Sequence, residues 1–406
     1  MNRALLIHPG ITAHSHLDRL QLILLTSDDR ARWERLVADD PGGHVLQCWA
    51  WGELKRAFGW NPLRIALWDT AGDRLVAGAQ VLLRPIPWTG SLLAYIPRGP
   101  VLNWADASLC QTFFAALHAF LRARKVAVLR MEPAVPESIG PSSLQQGKHL
   151  ITPPAAPLAA YFGGLYGAVS GHTLVQHLTR MGFRRTQDRV QLLRTIAIDL
   201  TPDEQVIRHR QKPKWRYNAG LAASKGVTIR PAQSLEEVER WYELMEITRK
   251  RNRFTGHPFS YYQRAWELLG AVHQGHLLLA EYAGKLLAGA FITLVGQQGI
   301  YLYGASGNER RNLMPNHLLQ WEAMRWAKAQ GATLYDLWGI ADSDDPAHPE
   351  AGLSGFKRGW GGQVITYIGT FDYVYAPTPY LCFRGGRAIR QQVTALRASL
   401  RRRGYF

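Results

Sequence analysis

A carboxylate and a lysine stand close together near the end of this 406-residue chain. Tyr335-Asp-Leu-Trp-Gly-Ile340 closes an apolar run around Asp336. After a polar loop comes Gly355-Phe-Lys-Arg-Gly-Trp-Gly-Gly362, with Lys357 in a turn framed by glycines. Glycine lets the backbone approach a bound molecule closely, so such a turn can bring lysine and ligand together. Lys357 is otherwise a solvated loop lysine. Asp336 is either a proton acceptor or a buried anchor hydrogen-bonded to backbone. Tyr301 and Tyr303 flank Leu302 in an apolar strand. Strict alternation predicts that both point to one face, lining a channel or filling a core.

Positive charge is the second chemical signal. Lys and Arg number 48 against 31 Asp and Glu, a formal charge of +17. That field attracts polyanions such as RNA, anionic lipid or phosphorylated precursors. Residues 205–235 contain no acid but carry Arg208, Arg210, Lys212, Lys214, Arg216, Lys225 and Arg230, with Trp215 and Tyr217 between them. Cations beside aromatic rings suit a phosphate and a stackable base or sugar, or else form a solvated helix face. The tail from Ala376 also lacks acids and holds seven arginines. Its stripe Ile389, Val393, Leu396 and Leu400 either docks on the protein body or lies on an anionic leaflet.

Other chemistries lack their residues. Cys48, Cys110 and Cys382 form no CxxC pair, so a disulfide framework or zinc site has no support and a reducing compartment fits. His14-Ser-His16 has no third ligand nearby, and HExxH, GxSxG and Walker motifs are missing. Neither metal nor cofactor is expected. The N-terminus lacks a signal-peptide core, Leu20–Leu25 is too short to span a bilayer, and prolines and glycines break Pro153–Val169. A cytoplasmic protein, peripheral at most to the inner face of the membrane, is the expectation.

The elements that must position these groups occur twice. Arg74-Leu-Val-Ala-Gly-Ala-Gln-Val-Leu-Leu83 is echoed by Lys285-Leu-Leu-Ala-Gly-Ala-Phe-Ile-Thr-Leu294. Each follows a short strand and a glycine turn, and each precedes a strand, a long amphipathic helix and a closing strand. That order predicts an α/β (α+β) protein with helices on mixed sheets. It is similar to the GNAT acyltransferase order, so two tandem GNAT-like domains with a cleft between them are expected. The expected boundaries are an extension at 1–20, one domain at 21–178 with an irregular insertion at about 134–171, and a second at 179–366. A C-terminal segment at 367–406, strand and basic helix, returns to the first domain.

Six segments in order, from about Ile23 to Tyr373, resemble the FemABX family of non-ribosomal peptidyltransferases. They are His44–Lys55 with Phe58-Gly-Trp60; Tyr95-Ile-Pro-Arg-Gly-Pro100; Lys214-Trp-Arg-Tyr-Asn218 with Lys225-Gly226; Arg251–Phe254 with Ser260-Tyr-Tyr262; Tyr301–Ser306 with Leu313-Met-Pro315; and the Asp336 and Lys357 motifs. No counterpart of the family's coiled-coil arm is present, so the compact members are the closer match.

The resemblance implies transfer of an amino acid from aminoacyl-tRNA to the stem peptide of lipid II or UDP-MurNAc-pentapeptide, by a monomer without cofactor. It implies that Lys55 and Arg216 hold the precursor diphosphate and that Arg98 borders the cleft, or staples a tight turn. Asn103, or Asp106, would supply a polar group after Arg98. Lys357 would face the oxyanion with Phe356 packed beside it. By themselves, Lys55 reads as an exposed helical lysine and Arg216 as part of a surface helix. Two alternatives remain: a GNAT-like N-acyltransferase using another acyl donor in cell-envelope polysaccharide synthesis, and a non-catalytic protein that binds tRNA or membrane surface.

Overall fold

The computed structural model describes residues 19–141 and 170–386. His14 and His16, much of the Pro/Gly-rich insertion and the 389–400 stripe lie outside the described residues.

In chain order the first half comprises β1 (Leu20–Leu24), α1 (Arg30–Asp39), α2 (Trp49–Ala57), β2 (Asn61–Asp69), β3 (Arg74–Pro85), β4 (Leu92–Pro97), α3 (Ala107–Arg122), β5 (Val126–Glu132) and β6 (Pro136–Pro141). The second half continues with α4 (Gly171–Arg180), β7 (Arg184–Thr186), β8 (Arg194–Asp199), α5 (Glu204–His209), α6 (Pro213–Ser224), β9 (Thr228–Pro231), α7 (Leu235–Asn252) and α8 (Phe259–Gly270). It ends with β10 (Gly275–Tyr282), β11 (Lys285–Val295), β12 (Gln298–Ser306), α9 (Pro315–Ala329), β13 (Leu334–Ile340), α10 (Ala351–Arg358), β14 (Gln363–Tyr367) and β15 (Thr370–Val374). A last helix, α11, covers 377–386.

Two mixed sheets result, ordered β1-β2-β3-β4-β5-β15-β7 and β6-β14-β8-β13-β12-β11-β10-β9. The hairpin, strand, helix, strand order read from the sequence is present in both. The sheets also exchange strands: β6 from the first half pairs with β14, and β15 from the second half pairs with β5. Pro136–Pro141, read from composition as irregular, is therefore an edge strand, a position that tolerates proline because no inner ladder needs its missing N–H.

The repeated Ala-Gly-Ala core has a packing cause. Trp33 of α1 lies on Gly78 of β3, and Trp241 of α7 lies on Gly289 of β11; both indoles are fully buried. A Cβ at Gly78 would come within 2.6 Å of the Trp33 ring, and one at Gly289 within 2.4 Å of the Trp241 ring. Gly289→Ala is expected to lose about 1–3 kcal/mol of stability through overpacking, read as a lower urea midpoint at unchanged slope.

One apolar core spans the two halves. It joins Trp33, Val37 and Leu54 to Trp241, Tyr261, Leu279 and Ile300. Each fully buried Leu or Ile there contributes about 1.5–3 kcal/mol. A buried polar network then fixes α2 against β4. Gln47 Nε2 donates to Pro97 O at 2.6 Å, Gln80 N donates to Gln47 Oε1 at 2.8 Å, and Arg64 joins Gln80 to Glu53. The segment that carries Lys55 is thus tied to the end of the strand that carries Arg98.

The two units differ in one respect. In the first, the parallel pair β4–β5 shifts register once, between Leu92 and Leu93, and then stays paired to its end at Pro97–Glu132. In the second, β12 and β13 pair only at Gln298–Leu334, Gly299–Tyr335 and Ile300–Asp336, and then diverge. Beyond that point β12 continues along β11 and β13 along β8, leaving a wedge between them.

Candidate active site

Lys357 spans the wedge. It is the second-last residue of α10, so the expected glycine-framed turn is instead the last turn of a helix. Its Nζ donates to Gly339 O of β13 at 2.6 Å and lies 6.0 Å from the Tyr301 ring of β12. Burial pulls its pKa down to about 8, opposed by the charges of Asp336 and Glu350. Gly339 O is aimed at the ammonium because β13 bulges between Asp336 and Gly339, with Trp338 left-handed at φ 62°. Non-glycine residues in that region are uncommon and concentrate where a site over-determines the backbone.

Asp336 holds the bulge. Its Oδ1 accepts from Thr195 Oγ1 and, at 2.7 Å, from Trp338 N. Burial raises its carboxyl; those two hydrogen bonds and the positive charges of Arg98 and Lys357 oppose the rise. Phe356 does not pack beside the lysine ammonium. Neighbouring helical residues point apart, and its ring sits against Trp215, His317 and Trp360. Trp215 Nε1 donates to Phe356 O at 3.0 Å, which anchors α10 to α6.

The two strand tyrosines do not share a face. β12 bulges at Leu302, so Phe291 opposes Tyr303 while Ile292 opposes Tyr301. One extra residue flips the alternation. Tyr301 stands on the α9 side, its hydroxyl over Gly304, where a Cβ would overlap it. Tyr303 stands on the α8 side, its hydroxyl 3.3 Å from that of Tyr261. The wedge therefore carries one tyrosine toward each lysine.

Lys55 is the second lysine. The last turn of α2 places its Nζ 2.8 Å from Tyr261 Oη, over the rings of Trp51 (4.5 Å) and Tyr261 (4.8 Å). No carboxylate pairs with it among the described residues, and burial lowers its pKa to about 8. His257 stacks on Tyr261 at 3.9 Å and is pulled down to about 4 by burial and by the Lys55 charge. A cation on an aromatic bed, without an acid beside it, has the chemistry to take an anion.

Arg98 closes the seam between the halves. It is 5% exposed and left-handed (φ 51°), donates to Leu192 O at 2.7 Å, and lies over Tyr367 (4.0 Å) and beside Trp338 (6.0 Å). Two left-handed non-glycine residues, one from each half, thus meet. His44 also faces Trp338, with ring centroids 5.5 Å apart. Burial and the Arg98 charge hold it well below the usual imidazole range, and its Nδ1 accepts from Leu46 N.

Three expected residues stand elsewhere. Arg216 on α6 donates to His209 O and Gln211 O at 2.9 and 2.7 Å, and its contacts share no residue with those of Lys55. Tyr217, also on α6, is 67% exposed. Asn103 is spent on its own loop, accepting from Ala105 N at 3.1 Å, and joins neither lysine cluster. Among the described residues no group of His, Cys, Asp and Glu could hold a metal ion, and no helix is long and apolar enough to cross a membrane.

The chain matches the FemAB family over residues 29–283 and 275–385. It belongs to that family. Similar curated proteins include a "Lipid II:glycine glycyltransferase" of Staphylococcus aureus (strain bovine RF122 / ET3-1), 23% identical over 84% of this chain and 90% of that one. The protein of that name from strain USA300 is 24% identical over the same shares. Among solved structures, a crystal structure of FemX superposes with a TM-score of 0.75 at 21% identity, covering 89% of this chain and 98% of the other. The mixed two-sheet fold is therefore shared with FemX, and this FemAB protein is a transferase.

Sequence reasoning missed Tyr261, His257 and the bulge at Trp338. Tyr261 lies in Ser260-Tyr-Tyr262, a segment counted in the resemblance but given no role. Nothing local marks His257, which matters only because α8 stacks it near Lys55.

Proposed function

We propose that this FemAB protein is an aminoacyltransferase that moves an amino acid from the 3′ ester of aminoacyl-tRNA to the stem-peptide amine of lipid II, building an interpeptide bridge. The observation that supports this best is Lys357, a buried ammonium crossing an open wedge between β12 and β13.

The amine nitrogen attacks the ester carbonyl carbon, and a C–N bond forms as the carbonyl oxygen takes up negative charge. Lys357 Nζ faces that oxygen and stabilises it. Collapse breaks the C–O bond to the ribose, and the amine proton ends on the released 3′-hydroxyl. Esters are activated, so aligning two bound substrates supplies much of the rate and no protein nucleophile is needed. Asp336 acts as a positioning residue that holds the bulge and supports the lysine's charge. Lys55 takes the precursor's diphosphate from its aromatic bed. Arg216 and Tyr217 belong to the donor side: α6 and its N-cap carry Lys212, Lys214 and Arg216, and among the described residues none of the three is in an ion pair.

The decisive assay supplies radiolabelled aminoacyl-tRNA and muramyl pentapeptide acceptors. RNase-sensitive labelling of the acceptor is expected; labelling from an acyl-CoA instead, or binding without transfer, would overturn the proposal. Lys55→Met should raise KM for a diphosphate-bearing acceptor by about 10- to 150-fold, the worth of one charged hydrogen bond, with little change in kcat. KM for a muramyl pentapeptide lacking the diphosphate should stay unchanged.

A further inference from the structure

Trp88 is fully exposed and left-handed (φ 61°), at the tip of the turn between β3 and β4. Exposing a whole indole sacrifices burial that tryptophan usually finds, and its amphipathic ring suits a boundary that is apolar on one side and wet on the other. The neighbouring Ile86 is buried against Tyr380 of α11, whose next residue, Leu381, is 66% exposed. Leu92 N donates to Lys125 O, bringing the turn after α3 to the same edge. Arg84 on β3, Lys125 in the turn after α3 and Arg384 on α11 are all exposed. None is in an ion pair among the described residues; Arg84 lies on Trp60 and Arg384 by Tyr380.

The segments that build this edge carry no acid: residues 85–105, 107–131 and 373–406 contain neither Asp nor Glu. The described residues end at 386, on this face, and residues 387–406 contain six arginines and no acid. Position matters as well as charge. Trp60 N donates to Lys55 O at 3.1 Å, and Arg84 lies 5.3 Å from the Trp60 ring. A line of contacts thus runs from Lys55 through Trp60 and Arg84 to the Trp88 turn.

We propose that the Trp88 turn and the exposed face of α11 form a docking surface for an anionic phospholipid bilayer. Trp88 and Leu381 enter the headgroup boundary, and Arg84, Arg384 and Lys125 meet lipid phosphates. This surface sets Lys55 at headgroup height, where the diphosphate of a lipid-linked acceptor lies. That purpose rests on the proposed acceptor; the docking itself does not.

The test uses the full chain with vesicles of phosphatidylglycerol and phosphatidylcholine, and with phosphatidylcholine alone. Wild type should co-sediment with the anionic vesicles only, and 0.5 M salt should release it. Trp88→Ser should weaken that binding about tenfold, with an unchanged melting temperature because the indole touches nothing. Brominated acyl chains should quench part of the wild-type tryptophan fluorescence, and that part should vanish in Trp88→Ser.

Failure to bind anionic vesicles would overturn the inference. So would equal binding by Trp88→Ser, or a dimer that Trp88→Ser dissolves, which would make the patch a self-association surface. Transfer to a soluble nucleotide-linked acceptor separates the two readings. If it persists while vesicle binding fails, only the docking surface is wrong; if transfer to both acceptor forms fails, the functional proposal is wrong.

Discussion

Replacing Lys357 by methionine is expected to lower kcat about 10²- to 10³-fold, the cost of removing one oxyanion donor, while KM for either substrate changes little. Methionine matches the lysine stem in length and is apolar, so it suits the buried site and the variant should fold. A loss confined to KM would move Lys357 from the reacting atoms to a binding role. The pH profile adds a second reading. With a pKa of about 8, Lys357 carries its charge below that pH and loses it above. The kcat at saturating acceptor, corrected for spontaneous ester hydrolysis, should therefore fall through about pH 8 on its alkaline side. Asp336 supports the ammonium, so Asp336→Asn should shift that fall to lower pH. A shift upward, or none, would remove Asp336 from the account.

Arg130→Met is expected to cost about 3–5 kcal/mol of stability. Arg130 of β5 is 1% exposed and grips Asp372 of β15 through two parallel hydrogen bonds of 2.7 and 2.8 Å. It also donates to Asp188 Oδ2 at 2.9 Å, and Tyr380 Oη donates to Asp372 at 3.0 Å. Arg130 and Asp372 are direct cross-strand partners at the place where the late strand enters the early sheet. Without the guanidinium, a fully buried carboxylate keeps only a tyrosine hydroxyl. The double variant Arg130→Met/Asp372→Leu should recover most of the loss, because an apolar pair needs no desolvation of charge. Equal instability of single and double variants would show that shape, not charge, holds β15. Denaturant titration of the three proteins decides between these outcomes.

Much of the fold was legible because its cause is local. The alternation of β2–β3 and β10–β11, the glycine turns and the apolar stripes of α3 and α9 follow from residues a few positions apart. The duplicated Leu-x-Ala-Gly-Ala core was readable as a repeat, though its reason, an indole on each glycine, was not. The reading of Lys357 as a turn residue failed because glycines at 359, 361 and 362 lie beyond the helix end, not around the lysine. The shared face of Tyr301 and Tyr303 failed because a bulge at Leu302 breaks the period of two.

The order of apolar runs, turns and cationic segments, and with it the doubled α/β plan and the family resemblance, was determined by the sequence alone. Only the tertiary structure decided which strands changed sheets, which parallel pair opened, and what each lysine touches. Lys55 meets Tyr261 across 206 positions of chain, and Lys357 meets the Gly339 carbonyl only because β13 bulges toward it. Burial and hydrogen-bond partners set the charge of such groups, and both come from segments that no local pattern brings together.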